Sequence, residues 1–421
     1  MGRLARLVVG PIFVIAVVGL ALAPELLDTE AWWAIILLPF DTVVLLSVLV
    51  GGLALGLILY VALLAREDRE ALQRSGPRIE AIVPVYQDAQ VLDRSVEGLL
   101  AAEYEPLSIT IVVEPDDGES RRRAEELAEE HDGVSVLENT ERSGSKAGAL
   151  NTAIETGDAP IVALFDADQR PHPKLLAHGV AALDETAIAR IRSIPDPAGG
   201  ILESMVYYEY LFLFFLPQKL VKVILGLSFA GTRSVLIERS VFDTVGGFRE
   251  GHLAEDLDFT HRVHGAGIEI QELLYYPSVE APAHTLRDWW GQRMRWMRGQ
   301  VSVSATVLRE PARVLSWTGL SSAATLVGTL VAGVLLALTV PKLLLASLEN
   351  PALVGSGLVG IYLVALTTRA LDDRTAGLSG FGAGWLILPV TFTLYGLVIV
   401  RILLGSGLDG GDDWYSVEKE A

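Results

Sequence analysis

Apolar residues gather at the two ends of the chain, while in the middle apolar and charged positions alternate. Leu7–Ala23 and Thr42–Ala65 carry no charged residue, nor do Val314–Val340, Pro351–Thr368 and Ala376–Val400. Each run is near or above the roughly 18 residues that carry a helix across the hydrocarbon core. Ala31–Phe40 is apolar but short, and reads as an interface-lying segment. The first run reads as a span, since no small-residue cleavage site precedes a soluble region and a second run follows at once. The pattern divides the chain into a membrane region of two helices at 1–65, a globular domain at 66–310, a membrane region of about three helices at 311–405 and an acidic tail at 406–421.

Within the middle, short apolar runs ending in Pro or acidic residues alternate with mixed runs. Ile79–Val85, Leu107–Val113, Val134–Leu137 and Pro160–Phe165 read as strands. Asp88 to about Ala102 and Ser120–Glu130 read as helices, and a third follows Arg142–Asn151. Such alternation predicts an α/β domain with a mainly parallel sheet covered on both faces. Ligands of such sheets bind beyond the carboxyl ends of the strands, where Glu114, Asp116, Asp117, Asp166 and Asp168 fall.

Composition narrows the partners. The 421 residues are 51% hydrophobic yet carry a formal net charge of -19. A surface this acidic, lacking basic clusters, excludes nucleic acid as the expected partner. Six Lys against 27 Arg with abundant carboxylates suit solubility in high salt, the balance of a halophile. Without cysteine, disulfides and thiolate metal sites are excluded. Arg3 and Arg6 precede the first run, Asp28 and Glu30 lie in the first loop, and Arg66, Arg69 and Arg74 follow the second run. The positive-inside rule then places the middle domain in the cytoplasm of a multi-pass cell-membrane protein, with Arg369 and Arg374 on the same side.

The sharpest chemical signal is Asp166-Ala-Asp168, two carboxylates one residue apart directly after a strand. They can present oxygens to a hard divalent cation, which in turn bridges diphosphate oxygens. Further on come Gly231–Ile237, Val245–Phe248, Leu253-Ala-Glu255-Asp256-Leu-Asp258 and Gln292-Arg-Met-Arg295-Trp296. Together with the first strand's P-V-Y and with GSKAGALN, this order over about residues 78–300 resembles the family 2 glycosyltransferases. The similarity is to their cellulose synthase, hyaluronan synthase and poly-N-acetylglucosamine synthase branch.

That resemblance implies a GT-A (nucleotide-diphospho-sugar transferase) fold flanked by transmembrane helices, and a Mg²⁺- or Mn²⁺-dependent, inverting transfer from a nucleotide-sugar donor, UDP by similarity. It implies Asp168 as metal ligand with Asp166 beside it, and Lys146 near the diphosphate. Pro84 and Tyr86 would line the base pocket. The usual D-D-G-S pattern is replaced by Glu114-Pro-Asp116-Asp117-Gly-Glu, which leaves the base contact open between Asp117, the preferred residue, and Glu114. Asp256 resembles the base that takes the acceptor's proton, with Glu255 as the neighbour open to confusion with it. Arg295 could hold the diphosphate, Trp296 could stack on an acceptor sugar, and Gln292 would orient one or the other.

On the same helix, Trp289, Trp290, Met294 and Met297 read as interfacial anchors, and Ile201–Ser228 as a second interface-lying segment. His172, His252 and His284 are scattered and read as structural. The expected acceptor is a growing polysaccharide at the bilayer. The alternatives are single-sugar transfer to a polyprenyl phosphate or glycolipid, and a non-catalytic assembly partner. The tail Trp414–Lys419 only loosely matches the branch's W-x-x-T-x-K/R gating element, because Val417 stands in place of the threonine.

Overall fold

The computed structural model describes residues 42–404 apart from 252, 310–316, 379 and 381. The first apolar run, Ala31–Phe40, His252 and the Trp414–Lys419 tail lie outside the described residues.

In chain order the elements are α1 (Thr42–Leu64), β1 (Ser75–Val85), a 3-10 turn at Ala89–Val91, α2 (Asp93–Leu100), β2 (Glu105–Val113), α3 (Gly118–Glu130), β3 (Val134–Glu138), α4 (Lys146–Thr156), β4 (Ile161–Leu164), α5 (Leu175–Leu183) and β5 (Ile188–Pro195). There follow α6 (Ile201–Glu209), a π-helical segment at Tyr210–Phe215, α7 (Leu216–Leu225), β6 (Val235–Glu238), α8 (Arg239–Val245), α9 (Glu255–Gly265), β7 (Ile270–Glu280) and α10 (Leu286–Arg309). The remainder is α11 (Trp317–Leu336), α12 (Thr339–Glu349), α13 (Pro351–Ala376), a 3-10 turn at Gly384–Ile387 and α14 (Leu388–Leu404).

All seven strands form one sheet, ordered β3-β2-β1-β4-β6-β5-β7. Four pairings are parallel, and β6 runs antiparallel to both β4 and β5. Strand β1 shows why its sequence is almost wholly apolar. Ile79, Ala81, Val83 and Val85 pack into one core with Ile109, Ile111 and Phe165, while Ile82 packs into the opposite core with Val112, Val162 and Leu164. A strand buried on both faces has no solvent side on which to place polar residues. The chain order reverses beside β1, so the loops after β1 and β4 border one crevice, the usual ligand position in open α/β sheets.

Two quoted motifs are joined in space. Asn151 on α4 donates from Nδ2 to the Phe248 carbonyl at 2.7 Å, and its Oδ1 accepts the Phe248 N–H at 2.8 Å. Gly148 is required for another reason: a Cβ there would lie 2.1 Å from the Arg142 carbonyl oxygen. The GSKAGALN and VGGF runs therefore fix the same loop pair from two sides.

Four helices are long and apolar enough to cross a membrane: Leu46–Leu64, Trp317–Val334, Pro351–Ala376 and Gly384–Leu404. The charge-free run Val314–Val340 is broken by a turn at Ala337 and Leu338, after which α12 begins. The last helical stretch starts at Gly384, later than the apolar run, because Gly377, Gly380 and Gly382 adopt positive φ before it. At Gly382 the approach is close as well, since a Cβ would meet the Ser204 Cβ at 2.1 Å.

Within Ile201–Ser228, Tyr207, Tyr208, Leu211, Phe212, Phe215 and Leu216 are buried against α1, α13 and α14, while Ile201 and Val223 stay exposed.

Candidate active site

Asp166 and Asp168 lie just past β4, where the sheet ends and backbone N–H groups no longer have ladder partners. The loop is held from beneath by Gln169, which is fully buried. Its Oε1 accepts the Asp166 N–H at 3.0 Å, and its Nε2 lies 3.0–3.1 Å from the hydroxyls of Ser193, Ser234 and Ser278. One amide thus ties the ends of four strands together.

Around this loop the charged residues gather. Lys146, the first residue of α4, pairs with Asp166. The α4 N-terminus is capped by Ser145, whose Oγ accepts the Gly148 N–H at 3.0 Å. Arg233, two residues before β6, approaches Asp166 at 4.0 Å and is gripped by both oxygens of Glu280 at 2.9 and 3.0 Å. Glu280, together with Asp166, Asp256 and Asp168, holds Arg233 above its ordinary range. Glu255 begins α9 in a buried position. Its carboxyl is pushed up to about 7 by burial and then by the negative charge of Asp256, against the opposing pull of Lys146. Burial draws Arg295 below the usual guanidinium range, although Glu255, Asp166 and Asp256 all favour its charged form.

Asp166, Asp168, Glu255, Asp256, Lys146 and Arg295 therefore share one cleft, brought there from four elements distant in sequence. Five carboxyl groups (with Glu280) face three cations (with Arg233), so acidic groups outnumber basic ones by two. Among the described residues no group of three or more His, Asp or Glu is arranged to hold a metal ion. A pair of adjacent carboxylates nevertheless fits Mg²⁺ or Mn²⁺, which keep several waters and take one or two protein carboxylates beside substrate phosphates. Asp166 is paired with Lys146, and Asp168 follows it two residues on in the same loop.

Other predicted positions are placed differently. Asp117 caps α3 by accepting the Ser120 N–H at 3.1 Å, and its other oxygen accepts the Gln87 N–H at 2.5 Å. Glu114 accepts from Asn139 Nδ2 and the Gly144 N–H, both at 2.7 Å. Both acids thus order the loops at the β1 and β2 ends. Pro84 and Tyr86 stand on the same rim, with the Tyr86 hydroxyl 3.4 Å from Asp116.

Gln292 and Trp296 each have a partner within the protein. Gln292 accepts a hydrogen bond from Arg293, and Trp296 has the Arg293 guanidinium 4.3 Å from its ring centroid and Phe214 edge-on at 5.9 Å. Trp289 and Met297, expected as bilayer anchors, are buried in the protein; the Trp289 Nε1 donates to Glu209 at 2.6 Å. His172 accepts the Lys174 N–H and His284 lies 3.1 Å from Glu203, in keeping with structural roles.

Arg233, Glu280 and Gln169 were missed by sequence reasoning. Arg233 sits inside the quoted Gly231–Ile237 run and Gln169 follows the DxD at once, so adjacency was the available signal. Glu280 had none.

Comparison with known proteins gives the chain a family and a fold. Residues 77–299 match the family described as Glycosyltransferase like family 2. The probable glycosyltransferase YdaM of Bacillus subtilis is 26% identical over 241 residues, covering 53% of this chain and 55% of that protein. The beta-monoglucosyldiacylglycerol synthase of Trichormus variabilis is 25% identical over 289 residues, covering 65% of this chain and 58% of that protein. The chain thus spans little more than half the length of these curated relatives. Among solved structures, the mannosyltransferase PcManGT from Pyrobaculum calidifontis, in complex with GDP-Man and Mn²⁺, superposes with a TM-score of 0.53 at 19% identity, over 86% of this chain and 98% of that one. That likeness establishes the shared fold. With more than half of its residues matching, the chain belongs to the family 2 glycosyltransferases.

Proposed function

We propose that the protein transfers one sugar from a nucleoside-diphosphate donor to a lipid acceptor at the membrane, with inversion at the anomeric carbon. The observation that carries this reading is the gathering of Lys146, Arg233 and Arg295 around Asp166, Asp168 and Asp256 in one cleft.

In this reading Lys146 and Arg295 hold the diphosphate and balance the charge it gains on departure. A divalent ion, when bound, adds Lewis-acid neutralisation of the same oxygens, with Asp168 as its main ligand and Asp166 beside it. Asp256, half-buried next to Glu255, takes the proton of the attacking acceptor hydroxyl. One base opposite the leaving group gives inversion in a single displacement. Pro84 and Tyr86 line the base pocket, and Glu114 and Asp117 set its loops. The domain at 66–310 lies on the cytoplasmic side between membrane regions 1–65 and 311–405.

A lipid acceptor is preferred to a growing polysaccharide for two reasons. The Trp296 ring is covered by Arg293 and Phe214, which reduces the surface available to stack a polymer sugar. The beta-monoglucosyldiacylglycerol synthases among the relatives are named for a lipid product. The synthase-branch reading, processive elongation, keeps the support of the flanking apolar helices and the Q-x-x-R-W run.

The deciding experiment presents purified protein in vesicles with labelled UDP- and GDP-sugars, Mn²⁺, and diacylglycerol or polyprenyl phosphate. A product of one sugar per lipid is expected. Chains of many sugars would establish the processive reading instead, and no transfer from any donor would overturn both.

A further inference from the structure

Glu209 is fully buried, yet it carries a carboxylate at the end of α6 among aromatic side chains. Burying such a charge is costly unless all its oxygens are engaged. Here they are. Oε1 accepts from Arg293 Nε at 2.8 Å, while Oε2 accepts from Arg293 Nη2 at 2.8 Å and from Trp289 Nε1 at 2.6 Å. Arg293 and Trp289 lie one helical turn apart on α10 and so share the face turned towards α6. A forked guanidinium–carboxylate pair fixes plane and distance together, unlike a single contact.

The consequence falls on the opposite face. Arg295 is two residues beyond Arg293, about 200° around the helix axis. A helix pinned through 289 and 293 therefore presents 295 to the far side, where Glu255, Asp166 and Asp256 act on it. Arg293 also holds Gln292 through its Nη1. The six-residue π-helical segment directly after Glu209 gives a second, independent indication. It delivers Phe214 edge-on to Trp296, at 5.9 Å, and π segments recur where a helix must re-aim a side chain for function.

We propose that Glu209 is a positioning residue for sugar transfer. It sets the rotation of α10 and thereby places Arg295 and Gln292 on the diphosphate. This rests on the transferase reading above, and turnover by the parent protein in the same assay tests that reading separately.

The test compares Glu209→Gln, Arg293→Lys and Trp289→Phe in the full chain. Nucleoside-diphosphate release, donor KM and the thermal midpoint would be measured for each. Glu209→Gln puts an amide N–H against a donor; kcat should fall ten- to a hundredfold while donor KM moves less than threefold. Trp289→Phe removes one bond of three and should lower kcat two- to fivefold. Combining Glu209→Gln with Arg293→Lys should lower kcat by less than the product of the single effects, because the first change acts through the second residue. A folded Glu209→Gln protein with parental kcat, or one whose lost activity tracks only its lowered midpoint, overturns the proposal. Should that variant not fold, parental kcat in both Trp289→Phe and Arg293→Lys overturns it equally.

Discussion

The cleft and the seam where the sheet meets the apolar helices are both rich in buried charge, and they handle it in opposite ways. In the cleft Glu255 is pushed up to about 7 by burial and by Asp256. In the seam Glu272 on β7 is equally buried, but Lys219, Lys222 and Arg190 outweigh burial and hold it at about 2. Its partner Lys219, 2.6 Å away, is drawn by burial down to about 8, so both remain charged at neutral pH. Arg192 and Asp372 are matched even more closely, with two bonds of 2.7 Å and further hydrogen bonds to Asp372 from Tyr60 and Tyr207. Seam charges are satisfied by the protein itself, and they join the sheet to the apolar helices. In the cleft acidic groups outnumber basic ones, which suits a site completed by a cation and a diphosphate.

The largest effect expected from this contrast is on turnover. Asp256→Asn should reduce kcat by a thousandfold or more, with the thermal midpoint unchanged within about 2 °C. A seam substitution should behave in reverse. Arg192→Met strands Asp372 in a buried position, and removing one partner of such a pair costs about 3–5 kcal/mol. Denaturant unfolding should show that loss, and a stability equal to the parent's would break the distinction.

How much of this could be read from sequence follows the same division. The first four strands, the DxD, the ED pair and Lys146 were legible because each lies where a local pattern ends: an apolar run, a strand, a helix start; β5, β6 and β7 were not read as strands. The seam was not legible either. Arg192 and Asp372 are 180 residues apart, and nothing local marks Glu209 as the partner of Trp289 and Arg293. Trp289 and Met297 misled for the same reason: aromatic and thioether side chains suit a bilayer surface and a protein interior equally. Glu114 and Asp117 were legible as acids at a strand end, but their bonds to Gln87, Asn139 and Gly144 were not, because those partners lie 25–30 residues away.

The next effect is one of pH. Glu255 has a folded pKa raised above its unfolded value, so its contribution to stability is present below about 4.5 and is lost as pH rises through about 7. In ligand-free protein kept in chelator, the parent should lose on the order of 1–3 kcal/mol relative to Glu255→Gln between pH 5 and 8. A difference that stays flat over that range would mean that the cleft is not crowded with negative charge. Glu272 should act in the opposite sense, its stabilisation fading only as pH falls below about 4.5 towards 2. The smallest effect belongs to an exposed pair, Arg78 with Asp158. Arg78→Gln should shift stability by less than about 0.5 kcal/mol, since exposed pairs are screened by water and salt.

The most direct test of the central claim is calorimetric titration of the full chain with UDP and GDP, with and without Mn²⁺, for the parent and Asp168→Asn. The account predicts that one of the two nucleotides binds the parent, that the ion tightens binding at least tenfold, and that the substitution removes this enhancement while the fold persists. Nucleotide affinity indifferent to both the ion and Asp168 would contradict a cleft built around one metal-bridged diphosphate.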